Sequence, residues 1–532
     1  MAPYFLEIHM PVLKLLDLSP LGLLLTLLLA GTAFAQSSTQ PEALHAVNRM
    51  SFGPAPGEVA RVMQIGVDRY VDEQLNPERL SNPRQLSQQL DSLHTTRLSQ
   101  DDLIAQYREA QQAAKKDKDI GKDERRDMVQ TMTLESGEAR LLRALQSPRQ
   151  LEEVMVDFWF NHFNVFSGKG LDRVLVENYE REAIRPYAMG KFRDLLGATA
   201  HHPAMLFYLD NWLSVAPGYH ASRRKPTIAK SSGLNENYAR EVMELHTLGV
   251  DGGYSQTDVT QLARMLTGWT INPRKGRGDS AFYFDATKHD RGTKNWLGRT
   301  VSDRGQAEGE WAIDVLAAAP ATAHHISYKL AQYFVSDTPP AALVDRLTKR
   351  FQETNGDIRA VLKTLLTSSE FRDPTVYSAK FKTPYRYLLS SVRASGLSVT
   401  SVRPLLATAY QLGMPLYGCQ TPDGYKNTEE AWLNPDAITR RVNFAVAFAS
   451  GKLPFARPMD NTGDGARGIK REMKKAEDGK YNPDWASAPV DTDALLATVA
   501  GSISPATLAT INQSEPSLRA ALVLGSPDFM HH

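Results

Sequence analysis

"GLNENYAREVMELHTLGVDGG" occupies residues 233–253, and its reading decides the class of fold. Asn235 is a good helix N-cap and Gly249 a good C-terminal stop. On a helical wheel Tyr238, Val242 and Leu245 form one stripe, and Ala239, Met243 and His246 form another. A helix with two such flanks must be covered on both sides, so it belongs inside a multi-helix packing. Asn237, Glu241, Glu244 and Leu248 then share a face that projects into protein and not into bulk water. Carboxylates in that position need a cation, a metal or a proton.

Working outward, helical periodicity recurs over most of the chain. Residues 42–75 predict two helices around a Gly/Pro turn, Gly53 to Gly57. Ser147-Pro148 predicts a helix start, and Leu151, Met155, Phe158 and His162 then fall on one buried face that delivers His162 to the interior. Further helices are expected at about 173–197, 204–209, 305–318, 321–335, 340–353, 357–367, 387–396 and 402–412. Two aromatic-bearing runs flank His289-Asp290-Arg291-Gly292 and predict a β-hairpin with that tetrapeptide at its tip. Ser255 with Asp258 predicts a capping box. "IRAVLKTLLTSSEF" (358–371) and "LRAALVLGSPDF" (518–529) both end in serine, an acidic residue and phenylalanine, and are taken as similar helix ends. The fold class is mostly α: one large multi-helix domain over 36–532 with a small β-hairpin. The densely charged stretches 98–128 and 456–487 are expected to be mobile insertions, the first with a solvated helix as its alternative.

Composition bounds the setting. The chain has 532 residues, 42% of them hydrophobic, enough for a sizeable core. Lys+Arg (61) and Asp+Glu (60) balance, which argues against a nucleic-acid partner. "LGLLLTLLLAGTAFAQ" (21–36) ends in the small-x-small triplet Ala33-Phe34-Ala35 and reads as a signal peptide, residues 1–35. The expected localisation is therefore export, to the periplasm or the extracellular space, with no stable membrane insertion after cleavage. Cys419 is the only cysteine, so no internal disulfide forms, and it is expected as a small buried hydrophobe.

Several stretches together resemble a bacterial family catalogued as domain of unknown function 1800. They are "NRMSFGP" (48–54), "MVDFWFNHFNVF" (155–166), "HPAMLFYLDN" (202–211), the 233–270 segment, "HDRGTKNWLG" (289–298), "FKTPYRYL" (381–388) and the terminal "LGSPDF". They follow the expected order from about residue 42 to 529. The resemblance implies an exported, mainly helical protein, often encoded beside a second exported family, which hints at a co-exported protein partner. It implies no reaction and no catalytic residues.

The residues themselves nominate a site. Glu241, Glu244, His162 and Arg240 are the catalytic candidates: two carboxylates neutralised differently split into acid and base, an arginine tunes them, and an imidazole moves protons. Asn237, Asp210, Asn211, His289 and Asp290 are the substrate-binding candidates, with Arg264 on the next helix able to join. Three readings stay open for the Glu241 cluster: a buried Arg–Glu packing network, an acid/base site, or a site for a divalent metal whose identity the sequence does not reveal. No HExxH, GxSxG, GxxxxGK[ST] or GxGxxG motif is present, which argues against familiar zincins, α/β-hydrolases and nucleotide enzymes. The expected function is a hydrolase- or lyase-like enzyme with a carboxylate/histidine site. The alternative is a non-catalytic binding or assembly protein that meets its co-exported partner through Tyr417, Tyr425 and Trp432.

Overall fold

The computed structural model describes residues 37–116, 120–219, 233–272, 281–399, 401–453 and 487–532. The expected signal peptide and nearly all of the 456–487 insertion lie outside these residues. The described residues form a mostly α single domain, with two small two-stranded antiparallel sheets and two isolated β-bridges. One continuous apolar core runs from Ala43 to Met530. No helix among the described residues is long and apolar enough to cross a membrane.

The Gln150–His162 helix lies at the centre. Its stripe is buried as the spacing predicts: Leu151 and Met155 are fully enclosed, Phe158 is 7% exposed and His162 is 3% exposed. The helix also buries Val154, Val156, Trp159 and Phe160, so neighbours cover almost its whole circumference. Trp159 satisfies its indole N–H on the Ala188 carbonyl at 2.9 Å. Its start is later than predicted. Ser147 does not cap the first turn but accepts from Arg149 N, and the helix proper begins at Gln150.

Start signals made of a capping side chain followed by proline recur where they organise the second half of the chain. Thr383-Pro384, Asn434-Pro435, Ser504-Pro505 and Ser526-Pro527 each open a helix, the capping oxygen accepting a backbone N–H three residues on. The two similar endings share one device. Ser368 accepts from Phe371 N and Ser526 from Phe529 N, while each hydroxyl donates to the carbonyl three residues back. Both phenylalanines are buried.

Three further expectations differ from what is observed. The runs flanking His289 do not pair with each other. Strand β1 (Trp269–Ile271) pairs with β2 (Phe282–Phe284), and β3 (Lys294–Trp296) with β4 (Arg299–Val301), so His289 and Asp290 lie between two sheets and not at a hairpin tip. The 173–197 span is not one helix. It is α over Asp172–Tyr179, makes a π turn over Glu180–Ile184 and a 3-10 turn carrying Pro186, and resumes at Phe192. The 98–128 stretch, expected as a mobile insertion or a solvated helix, has its described residues in two packed helices, Gln100–Lys116 and Ile120–Gln146. Leu103, Ile104 and Tyr107 sit among the charges and are buried, which anchors the first of them to the core.

Candidate functional site

The C-terminal half of the Gln150–His162 helix presents Asp157, Phe158, Asn161 and His162 to a cavity of about 230 Å³. The Pro320–Phe334 helix contributes Lys329, Gln332 and Tyr333, which share one face by their spacing. Thr383 and Arg386 come from the start of the Pro384–Ser395 helix, and a loop supplies Asp423, Tyr425, Lys426 and Asn427. Leu245, Met414 and His532 complete the wall.

The loop reaches the cavity because Asn161 pins it. Asn161 Nδ2 donates to Tyr425 O at 2.8 Å, and Tyr425 N donates to Asn161 Oδ1 at 2.7 Å. Gly424 makes that approach feasible. Its φ is +71°, and a Cβ there would lie 2.1 Å from Asn161 O.

The charges on the wall are unevenly matched. Asp157 is ion-paired with Arg140 at 2.5 Å, and Asp423 with Lys426 at 2.7 Å. Arg386 spends its guanidinium on neutral acceptors, the Asn48 and Ser51 carbonyls at 2.8 and 2.6 Å and the Tyr333 hydroxyl at 3.2 Å. Lys329 makes no hydrogen bond or ion pair with any described residue. Two cations therefore face the cavity without a carboxylate of their own. Burial lowers the Lys329 ammonium to about 8; Lys426 lowers it further and Asp423 opposes. Burial raises the Asp157 carboxyl, against the pull of Arg140 and Arg386.

His162 is held in one tautomer. Its Nε2 lies 3.1 Å from the His246 carbonyl, so Nε2 carries the hydrogen, and Nδ1 keeps a lone pair with no partner. Burial, then the charge of Lys329, holds this imidazole well below its usual range, so it is neutral. His246 and His325 lie alongside, with ring centroids 6.0 and 6.3 Å from that of His162. Burial brings His246 to about 3 and His325 to about 4. His325 packs against Gly249, where a Cβ would come within 3.0 Å of its ring.

The opening stretch thus serves this site through its C-terminal end. Its helix is Asn237–Glu244, and Leu245 and the His246 carbonyl are what reach the cavity. Glu241 and Glu244 are half-buried on a face outside the cavity lining. Burial raises the Glu241 carboxyl, with Glu244 and Asp423 adding repulsion and Arg240 opposing. Arg240 turns away to Glu236 (3.5 Å) and Gln256 (2.8 Å), and Asn237 is exposed.

The other candidates lie elsewhere. Asp210 has φ +58° and pairs with Lys169 at 2.9 Å. Asn211 is fully buried and donates to the Leu266 and Trp269 carbonyls, fixing the chain beside β1. Arg264 grips Asp290 with two nitrogens, at 2.7 and 3.1 Å, and does not join Glu241. His289 is buried next to it and donates through Nδ1 to the Thr267 carbonyl at 2.9 Å. Among the described residues, His289, Asp303 and Glu308 are the one group of three metal-type donors gathered within 4.8 Å of one another. Cys419 is buried, as its solitary status suggests.

Lys329, Arg386, Asp157 and Asp423 were not singled out from sequence, although one signal was present. Ile326, Lys329, Leu330 and Tyr333 keep the spacing of a buried stripe, and a lysine interrupts it.

A family model described as "Protein of unknown function (DUF1800)" matches residues 45–531. No curated protein and no solved structure matches the chain.

Proposed function

The chain belongs to this DUF1800 family, which brings no reaction with it, and from the cavity we propose a hydrolase- or lyase-like enzyme that binds an anionic substrate group between Lys329 and Arg386. The observation that carries this reading is the surplus of positive charge on an enclosed wall. A half-buried ammonium with no partner destabilises a fold unless a ligand repays it. Burial also lowers the Lys329 ammonium and raises the Asp157 carboxyl, the directions in which a proton-transferring pair is shifted. Lys329 holds the anionic group, Asp157 is the carboxyl on the wall that exchanges a proton with the substrate, and the lone pair of His162 Nδ1 orients a hydroxyl or water. The size of the cavity suits a small carboxylate or phosphate compound, or one such group of a larger molecule. Tyr417, proposed from sequence as a contact residue, is 5% exposed and packs inward. Tyr425 and Trp432 are half-buried and hydrogen-bonded to the Pro415 and Lys426 carbonyls. Export forms part of the proposal on the strength of the 21–36 segment.

Thermal unfolding at pH 7 with inorganic phosphate or succinate tests the anion site. The wild-type midpoint should rise saturably, and Lys329→Met should abolish the rise. Turnover is then sought on a panel of phosphate and carboxylate esters, with Asp157→Asn as the inactive control. Absence of any shift up to about 50 mM of either anion sinks the reading.

A further inference from the structure

Away from the cavity, the segment between the two small sheets meets the first turn of the Gln306–Ala318 helix. There His289 Nε2 lies 3.5 Å from Glu308 Oε1 and 3.9 Å from Asp303 Oδ1. We propose that His289, Asp303 and Glu308 bind a divalent transition-metal ion of the zinc or manganese type.

The argument begins with the tautomer. His289 Nδ1 donates to the Thr267 carbonyl at 2.9 Å, which leaves Nε2 as a lone pair. That lone pair has no hydrogen-bond partner, and the side chain is only 2% exposed. A bare lone pair turned towards two carboxylates is repulsive, so the arrangement calls for a cation in between. A backbone-tethered imidazole with its free nitrogen facing acidic oxygens is also how metal-binding histidines are oriented. Spacing agrees. Metal bonds of about 2.0–2.2 Å place tetrahedral donors about 3.3–3.6 Å apart; the His289–Glu308 separation fits this, the His289–Asp303 one exceeds it slightly, and all three donors lie within 4.8 Å of one another.

The carboxylates are fixed for the task. Glu308 Oε1 accepts from Arg304 N at 3.0 Å, and Asp303 Oδ1 accepts from Gly305 N at 3.1 Å. Lys294 is the nearest competing cation. It is fully buried and pairs with the other oxygen, Glu308 Oε2, at 2.7 Å, leaving the Oε1 side to the ion. The histidine, the two carboxylates and the lysine sum to one negative charge, so the pocket favours a cation over an anion or a neutral guest. One nitrogen and two oxygens suit a borderline metal better than calcium or magnesium. Asp303 is 40% exposed, so the ion enters from that side and water completes its coordination. None of the three residues lines the cavity, so the proposal stands apart from the enzymatic reading. Its role is a clip, joining the turn after β2 to the loop before the helix.

The test uses the full chain, stripped with chelator and titrated separately with zinc and manganese by calorimetry. One equivalent of at least one metal is expected, together with a higher thermal midpoint. Asp303→Asn, at an exposed position, should leave the metal-free midpoint unchanged and weaken binding by at least about tenfold. His289→Gln should abolish binding. No binding of either metal to the wild type, or equal affinity in Asp303→Asn, overturns the proposal.

Discussion

Lys329 shows what a single residue can reveal about why a fold keeps it. A group retained for stability should weaken the protein when removed, whereas this one has nothing to hold it. Its folded pKa, about 8, lies below the unfolded value of about 10.4. For a base shifted down, the unfolded chain binds more protons between those two values, so stability rises as pH climbs from about 8 to about 10.4 and is flat below about 8. Lys329→Met removes the charged form that burial disfavours. It should therefore gain about 1–3 kcal/mol at pH 7, with the advantage shrinking towards pH 10. Urea unfolding at the two pH values reads this directly. A methionine variant less stable than wild type at pH 7 would make the lysine structural. The carboxylates of the opening helix teach the complementary lesson. Their place on a face was legible from the 3.6 period, but how deeply that face sinks was not. Depth depends on neighbours far away in sequence, and Asp423, close enough to raise the Glu241 carboxyl, is one of them.

At the scale of elements, local chemistry was legible wherever it closes on itself. The Ser255–Asp258 capping box forms as spacing predicts, and the paired Ser-x-acid-Phe endings prove to be one serine-capped turn used twice. Strand pairing was not legible in the same way. The runs beside His289 have strand character, but three-residue strands carry too little pattern to name their partners. The loop over the cavity is intermediate. Its glycines mark a turn, while the reason for Gly424 appears only when Asn161 is brought beneath it. Gly424→Ala combines a left-handed φ with a Cβ inside van der Waals contact of a carbonyl. It should cost about 2–3 kcal/mol and shift the loop. Anion binding should weaken at the same time, because Asp423 and Lys426 move with it. Phosphate titration followed by thermal unfolding of the variant checks both effects, and an unchanged affinity would separate the loop from the site.

Across the whole molecule, a buried arginine–carboxylate network of the kind considered for Arg240 and Glu241 exists, but on the other side of the cavity wall. Arg140, from the long Ile120–Gln146 helix, reaches Asp157 at 2.5 Å and Glu180 at 2.9 Å. Arg185 continues it to Glu180 at 3.2 Å and Glu153 at 2.7 Å. Tyr417 donates to Glu180 at 2.9 Å, and the Arg140 guanidinium lies 5.1 Å from the Phe160 and Tyr417 ring centres. The members span residues 140 to 417, and no local pattern links them, which is why sequence, which weighed such a network only for the Glu241 cluster, did not find it here. The π turn begins at Glu180, so the irregular backbone there carries the network's hub. Burial pushes the Glu180 carboxyl up, but Arg140 and Arg185 outweigh it and hold it below its usual value. A depressed carboxyl adds stability above its unfolded pKa and loses it as pH falls through the folded one. Arg140→Gln strands Asp157, leaves Glu180 to Arg185 and Tyr417, and should cost about 3–5 kcal/mol at pH 7. The deficit should shrink towards pH 4, where the stranded carboxyl accepts a proton in the variant while the wild type begins to lose its advantage. Urea unfolding of both proteins at pH 7 and pH 4 measures that convergence. A deficit that stays constant across the range would mean that Arg140 contributes packing on the Phe160 and Tyr417 rings and not charge.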